Sequence, residues 1–170
     1  MPRHVLLIGF MGSGKSTVGR LVGESLGMPF LDLDAQVVAT GGRTIEEIFA
    51  AQGESGFRAV ESAALEALSG SDHAVIACGG GVVLDDANRS LLKRLGTVVY
   101  LQVSAEEALA RIGDTSGRPL LAGGGVAMAS ALLRSREALY EATADVTVST
   151  AGRTPREVAD SVVTAVGCRS

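Results

Sequence analysis

Lys15 is followed by two hydroxyl side chains and preceded by closely spaced glycines in Gly9-Phe10-Met11-Gly12-Ser13-Gly14-Lys15-Ser16-Thr17, directly after the apolar run Val5-Leu6-Leu7-Ile8. Glycines at this spacing let the backbone turn tightly, so that successive N–H groups converge on one anion, and the positive end of a following helix adds to the attraction. The chemistry is phosphate binding. Lys15 would reach terminal phosphates and the Ser16 hydroxyl would complete a magnesium shell, with Gly12, Ser13, Gly14 and Thr17 as the rest of the cradle. A glycine-rich turn with an incidental lysine is the alternative, and the full pattern in a strand–loop–helix setting argues against it.

Other residues could supply what a phosphoryl acceptor needs. Asp32 and Asp34 fall at the end of the second predicted strand, where alternate side chains face the same way, so both carboxylates can share one site. One would assist magnesium while the other orients or deprotonates a hydroxyl, although Asp34 could instead cap the next helix. Arg58, with Glu61 one turn later, and Arg136, beside Glu137 with Tyr140 one turn on, each read singly as solvated charges. Jointly they could clamp a carboxylate, because the planar guanidinium fork matches that group. Cys78-Gly79-Gly80-Gly81 follows the third predicted strand, and three bare glycines allow a ligand ring to approach the backbone closely. Cys78 reads as a small buried residue, and His4 and His73 have no ligand-like spacing.

The elements that must position these groups alternate along the chain. Strands are predicted over residues 5–8, 29–33, 74–78, 98–103 and 146–148. Helices are predicted over 15–26, 45–68 with an interruption near Gly53, 86–95, 105–112, 127–140 and 155–166. This order predicts an α/β fold, a three-layer α/β/α sandwich around a central parallel sheet with ligands at its carboxyl edge. Residues 1–170 form one domain, with a lid over about 113–125 in which Arg118 is a lone cation among glycines. A plain linker there is equally open.

Composition narrows the partners. A net charge of −4 with 20% charged residues gives no broadly basic surface for nucleic acid. Two cysteines are too few for a disulfide scaffold and suit a reducing cytoplasm, and no run approaches the roughly 20 apolar residues of a membrane span. A monomer is expected.

Taken in order, Gly9 to Thr17, Asp32 and Asp34, Gly56-Phe57-Arg58 with Glu61, Gly79 to Gly81, Arg118-Pro119-Leu120-Leu121, and Arg136 with Tyr140 resemble the shikimate kinases over nearly the whole chain. The resemblance implies a P-loop kinase fold and Mg2+-dependent transfer of the ATP γ-phosphoryl group to the 3-hydroxyl of shikimate, giving shikimate 3-phosphate and ADP. It implies that Asp34 activates that hydroxyl, that Lys15 and Arg118 act on the phosphates, and that Ser16 and Asp32 organise magnesium. Arg58 and Arg136 would hold the substrate carboxylate, Glu61 would hold Arg58, and Gly79 to Gly81 would line the ring with Gly80 touching it through backbone. Arg111, Arg153 and Pro155 would lie on the adenine side. The chain departs from the family in carrying Ala77-Cys78, where serine or threonine often precedes the glycine triplet, and in the glycine-rich segment after Leu121. A gluconate-type sugar-acid kinase and a non-catalytic nucleotide-binding module are the competing readings.

Overall fold

Alternate residues of each inner strand turn to opposite faces of one sheet, and both faces are apolar. In the first strand, β1 (His4–Ile8), Val5 and Leu7 face one way while Leu6 and Ile8 face the other, and all four are fully buried. A strand hydrophobic on both faces must be covered on both, which is the signature of a parallel sheet between helical layers. The computed structural model shows that arrangement. It describes residues 4–113 and 123–169.

The remaining elements are α1 (Lys15–Leu26), β2 (Phe30–Asp32), α2 (Leu33–Gly41), α3 (Ile45–Ala67), β3 (Ala74–Ala77), α4 (Asp86–Leu95), β4 (Gly96–Gln102), α5 (Ala105–Ile112), α6 (Gly125–Thr143), β5 (Val146–Ser149) and α7 (Pro155–Gly167). Single 3-10 turns follow α3 at Leu68–Gly70 and precede α4 at Val82–Leu84. The sheet order is β2-β3-β1-β4-β5 and every pairing is parallel. One face packs Val18 and Val22 of α1 and Val158, Val162 and Val166 of α7 against Val5, Leu7, Val75, Val99 and Leu101. The other packs α3, α4 and α6 against Leu6, Ile8, Ile76, Val98 and Tyr100.

Sequence and structure agree on the five strands and on six helices, three of them to the residue: α1, α4 and α5. The sequence missed α2. Its residues follow β2 without a loop, and Asp32 ends the strand and caps the helix at once by accepting from Asp34 N at 2.9 Å. Asp34 therefore stands in a first helical turn rather than on the strand, and it is Asp32 that performs the capping duty considered for Asp34. The expected break near Gly53 is present: α3 runs through it with φ 68° and ψ −169°, a conformation that costs glycine least. Arg118 and residues 114–122 of the expected lid lie outside the described residues.

Helix starts near the carboxyl edge are fixed by caps. Thr44 and Thr154 each form a capping box with the glutamate three residues on, Glu47 and Glu157. The second box sets the start of α7, where Pro155 lines a cleft beside the phosphate loop. Thr154→Ala should therefore destabilise the chain by about 1 kcal/mol. Thr154→Ser should restore most of that loss, with urea unfolding midpoints as the measurement.

Candidate functional site

The segment between β1 and α1 wraps back on itself at the carboxyl end of the sheet. Gly12 sits at φ 75° and a side chain there would run into the Ala108 carbonyl at 2.6 Å; Gly14, at φ 91°, caps α1. Lys15 Nζ donates to the carbonyls of Gly9 at 2.8 Å and Phe10 at 2.9 Å and reaches Ser13 Oγ at 3.3 Å, so the loop holds its own cation over its concave face. At the loop's foot the Ser16 hydroxyl donates to Asp32 Oδ2 at 3.3 Å. Mg2+ keeps several waters and takes one or two protein oxygens together with phosphates, so these two hard donors beside a phosphate cradle fit that ion.

A cleft of about 240 Å3 opens beside this loop, lined by Met11, Lys15, Asp32, Asp34, Cys78 and Gly80 among others. Asp32 and Asp34 do share it, although not as alternating strand residues: one comes from the last position of β2 and the other from the first turn of α2. Arg58 and Glu61 lie one turn apart on α3, with Arg58 Nη1 donating to Glu61 Oε1 at 2.8 Å and Nη2 reaching Glu54 Oε1 at 3.4 Å. The Phe57 ring stacks on Phe49 at 4.8 Å and underlies the Arg58 guanidinium at 5.1 Å.

The reading of these arginines as solvated charges does not survive. Glu61 is fully buried, Arg136 is 3% exposed, and Arg58 is largely covered. Removing charges from water is costly unless they are paired, which is why both guanidinium groups and Glu61 gather in one place. Burial pushes the Glu61 carboxyl up from its ordinary value; Arg58 opposes that rise, Asp34 adds to it and Arg136 opposes it. Among the described residues, Arg58 Nε and Glu61 Oε2 are buried without a hydrogen-bond partner.

The glycine triplet sits at the centre of this group. None of its three residues has a positive φ, so they are glycine for lack of bulk and not for backbone shape. A methyl on Gly81 would overlap the Arg58 guanidinium, and one on Gly79 would meet Glu61 Oε2 at 2.8 Å and Asp34 Oδ1 at 3.4 Å. On Gly80 it would stand 3.6 Å from each of Arg136 Nη1, Gly9 O and Met11 N. The guanidinium of Arg136 and the phosphate loop thus flank one point in space, across the middle glycine. Two of the three glycines make room for the protein's own charges, and the middle one opens to the cleft. Cys78 is buried, and burial pushes its thiol well above the ordinary range, so it stays a neutral packing residue.

A second cleft of about 420 Å3 shares Gly12, Gly14 and Thr17 with the first and is lined by Arg111, Ile112, Thr150, Arg153, Pro155 and Val158. Arg111 turns toward the loop, donating through Nη1 to Thr150 Oγ1 at 3.1 Å and through Nη2 to Thr150 O at 3.2 Å, with Gly12 O at 3.4 Å. Arg153 is tied along α7 to Ser149 O, Glu157 O and Ser161 Oγ. Sequence reasoning passed over Thr150, which is buried and braces Arg111; a lone threonine after a strand carries no local signal of that role.

Comparison with known proteins gives the same direction. A family profile described as shikimate kinase matches residues 11–167. A shikimate kinase of Moorella thermoacetica is 47% identical over 162 residues, covering 95% of this chain and 93% of the relative. The solved structure of a shikimate kinase from Acinetobacter baumannii in complex with shikimate superposes with a TM-score of 0.93 at 36% identity, covering 99% of this chain and 94% of that one. A gluconokinase from Sinorhizobium meliloti shares the fold at a TM-score of 0.65 and 22% identity, over 99% of this chain and 93% of its own.

The triplet geometry makes a pair of substitutions diagnostic. Gly80→Ala should leave the melting temperature within about 2 °C, since the methyl meets nothing closer than ordinary contact. Gly81→Ala should cost about 1–3 kcal/mol by forcing the guanidinium of Arg58 aside, as thermal unfolding would record. Glu61 sets a pH signature. Folding raises its carboxyl pKa, so the folded chain holds that proton more tightly; this favours folding at acid pH and is lost as pH rises through the window just above 4.5. In Glu61→Gln the pH dependence of the unfolding midpoint in that window should flatten.

Proposed function

The chain belongs to the shikimate kinase family, ATP-dependent kinases that phosphorylate the 3-hydroxyl of shikimate, and on that footing we propose how its side chains divide the work. The phosphate loop from Gly12 to Thr17 cradles the ATP phosphates, with Lys15 leaving its carbonyl contacts to meet the terminal ones. Ser16 and Asp32 hold Mg2+, which neutralises phosphate charge when bound. The cleft formed by Arg111, Arg153 and Pro155 takes the adenine side. Across the shared cleft, Arg58 and Arg136 grip the carboxylate of shikimate, Gly79 to Gly81 line its ring, and Asp34 orients the 3-hydroxyl and takes its proton. Arg118, which lies outside the described residues, adds positive charge to the transferring phosphoryl group.

One observation carries this reading. Two covered guanidinium groups converge beside the phosphate loop, Glu61 is buried against Arg58, and the buried Nε of Arg58 has no hydrogen-bond partner among the described residues. The unmatched Nε–H leaves a donor for a ligand, and a planar carboxylate is the anion a guanidinium fork fits. Positioning supplies most of the rate, since aligning two reactants can be worth roughly 7–11 kcal/mol. A cytoplasmic monomer free of nucleic acid belongs to the same proposal, supported by a net charge of −4 and by two unpaired thiols. Among the described residues no helix is long and apolar enough to cross a membrane.

Incubation of the purified chain with Mg-ATP and shikimate should yield the phosphoester by mass spectrometry, with no product from gluconate. Phosphorylation of gluconate alone, or nucleotide binding with no product, would overturn the assignment. Lys15→Ala should lower kcat by roughly 100-fold or more while leaving the fold intact, on the scale of one preorganised donor. Arg136→Ala should raise KM for shikimate by roughly 30-fold or more and leave KM for ATP in place, as expected when half of a desolvated charge pair is removed.

A further inference from the structure

Glycine backbone is soft, and a triplet of glycines at a binding site needs outside restraint to present one face to a ligand. Two of the carbonyls here are closed locally, since Gly79 O accepts from Val82 N at 3.1 Å and Gly81 O accepts from Leu84 N at 3.1 Å. The middle carbonyl is closed at long range. Gly80 O accepts from the hydroxyl of Tyr140, on α6 and 60 residues away in sequence. Tyr140 is fully buried and its ring stacks on Tyr100 of β4 at 5.1 Å, so the hydroxyl is delivered from a fixed platform. One turn earlier on the same helix is Arg136, whose Nη1 stands 3.6 Å from where a side chain on Gly80 would begin. The hydroxyl thus donates to the middle carbonyl of the triplet at the point where the Arg136 guanidinium comes closest to it.

We infer that Tyr140 is a positioning residue for the acceptor substrate: its hydroxyl holds the Gly80 carbonyl in place beside the Arg136 guanidinium, so that ring contact and carboxylate grip are set as one unit. Burial pushes the phenol up to about 12, with Arg136 opposing the rise, which keeps the donor proton in place throughout the neutral range. The role is specific to the acceptor half of the cleft, since Tyr140 does not line the adenine side. It rests on the assignment of the acceptor as shikimate, and the wild-type product assay settles that assignment separately.

The test is Tyr140→Phe, which keeps the ring and removes the hydroxyl. Steady-state kinetics with shikimate and with its methyl ester should show KM for shikimate raised roughly tenfold, the scale of one buried hydrogen-bond partner lost, with kcat within about twofold and KM for ATP unchanged. The preference for the acid over the ester should fall by a similar factor, because the loosened group is the one that reads the carboxylate. Equal rises in both KM values, or an unchanged acid-to-ester preference, would reduce Tyr140 to packing and overturn the inference. If the variant does not fold, NMR of the native chain decides: a slowly exchanging Tyr140 hydroxyl proton with cross-relaxation to the methylenes of Gly80 and Gly81 supports the tie, and a freely exchanging one overturns it.

Discussion

Parallel pairing of β1 with both β3 and β4 is the constraint from which the site follows. Leu7 lies opposite Ala77 and Ile8 opposite Tyr100, so β1 and β3 end within a residue of one level and β4 runs on only to Gln102. All strands point the same way, and their following loops have no choice but to meet at that edge. The loop after β1 becomes the phosphate cradle, the loop after β3 becomes the glycine triplet, and β2 ends beside them with Asp32. Backbone hydrogen bonds fix this juxtaposition before any side chain contributes, as Cys78 N donating to Leu7 O at 3.0 Å illustrates at the point where β3 runs into the triplet.

On that edge the protein concentrates charges it cannot afford to leave unpaired. Arg58, Arg136 and Glu61 come from α3 and α6, helices far apart in sequence that pack on the same face of the sheet. Glu61 neutralises part of the positive charge and orients Arg58, Glu54 reaches the same guanidinium, and Asp34 stands near Glu61. Their burial ties the electrostatics of this cluster to the packing of the two helices. The triplet glycines are the steric counterpart of the same arrangement, because side chains at Gly79 or Gly81 would occupy the space of Glu61 or Arg58.

The site is divided along the phosphate loop. On one side, Arg111 of α5 is braced by Thr150 at the end of β5, and Lys15 is held by the loop's own carbonyls. On the other, α2 and α3 bring Asp34, Phe49, Phe57 and Arg58 over the triplet. The two clefts share Gly12, Gly14 and Thr17, so groups transferred between them travel a short path.

The amino-acid sequence alone determined the phosphate loop and the strand–helix alternation, because each is a local feature whose physics is contained within a few consecutive residues. It also named the residues of the acceptor half through their resemblance to a family, while their individual spacing was equally compatible with solvated ion pairs. Tertiary structure decided that Arg136 and Glu61 are buried, that Asp34 reaches the cleft from a helix and not from a strand, and that Gly79 and Gly81 yield space to the protein itself. Those outcomes depend on desolvation and on contacts between residues 60 or more positions apart, such as Tyr140 with Gly80, and no local pattern encodes either.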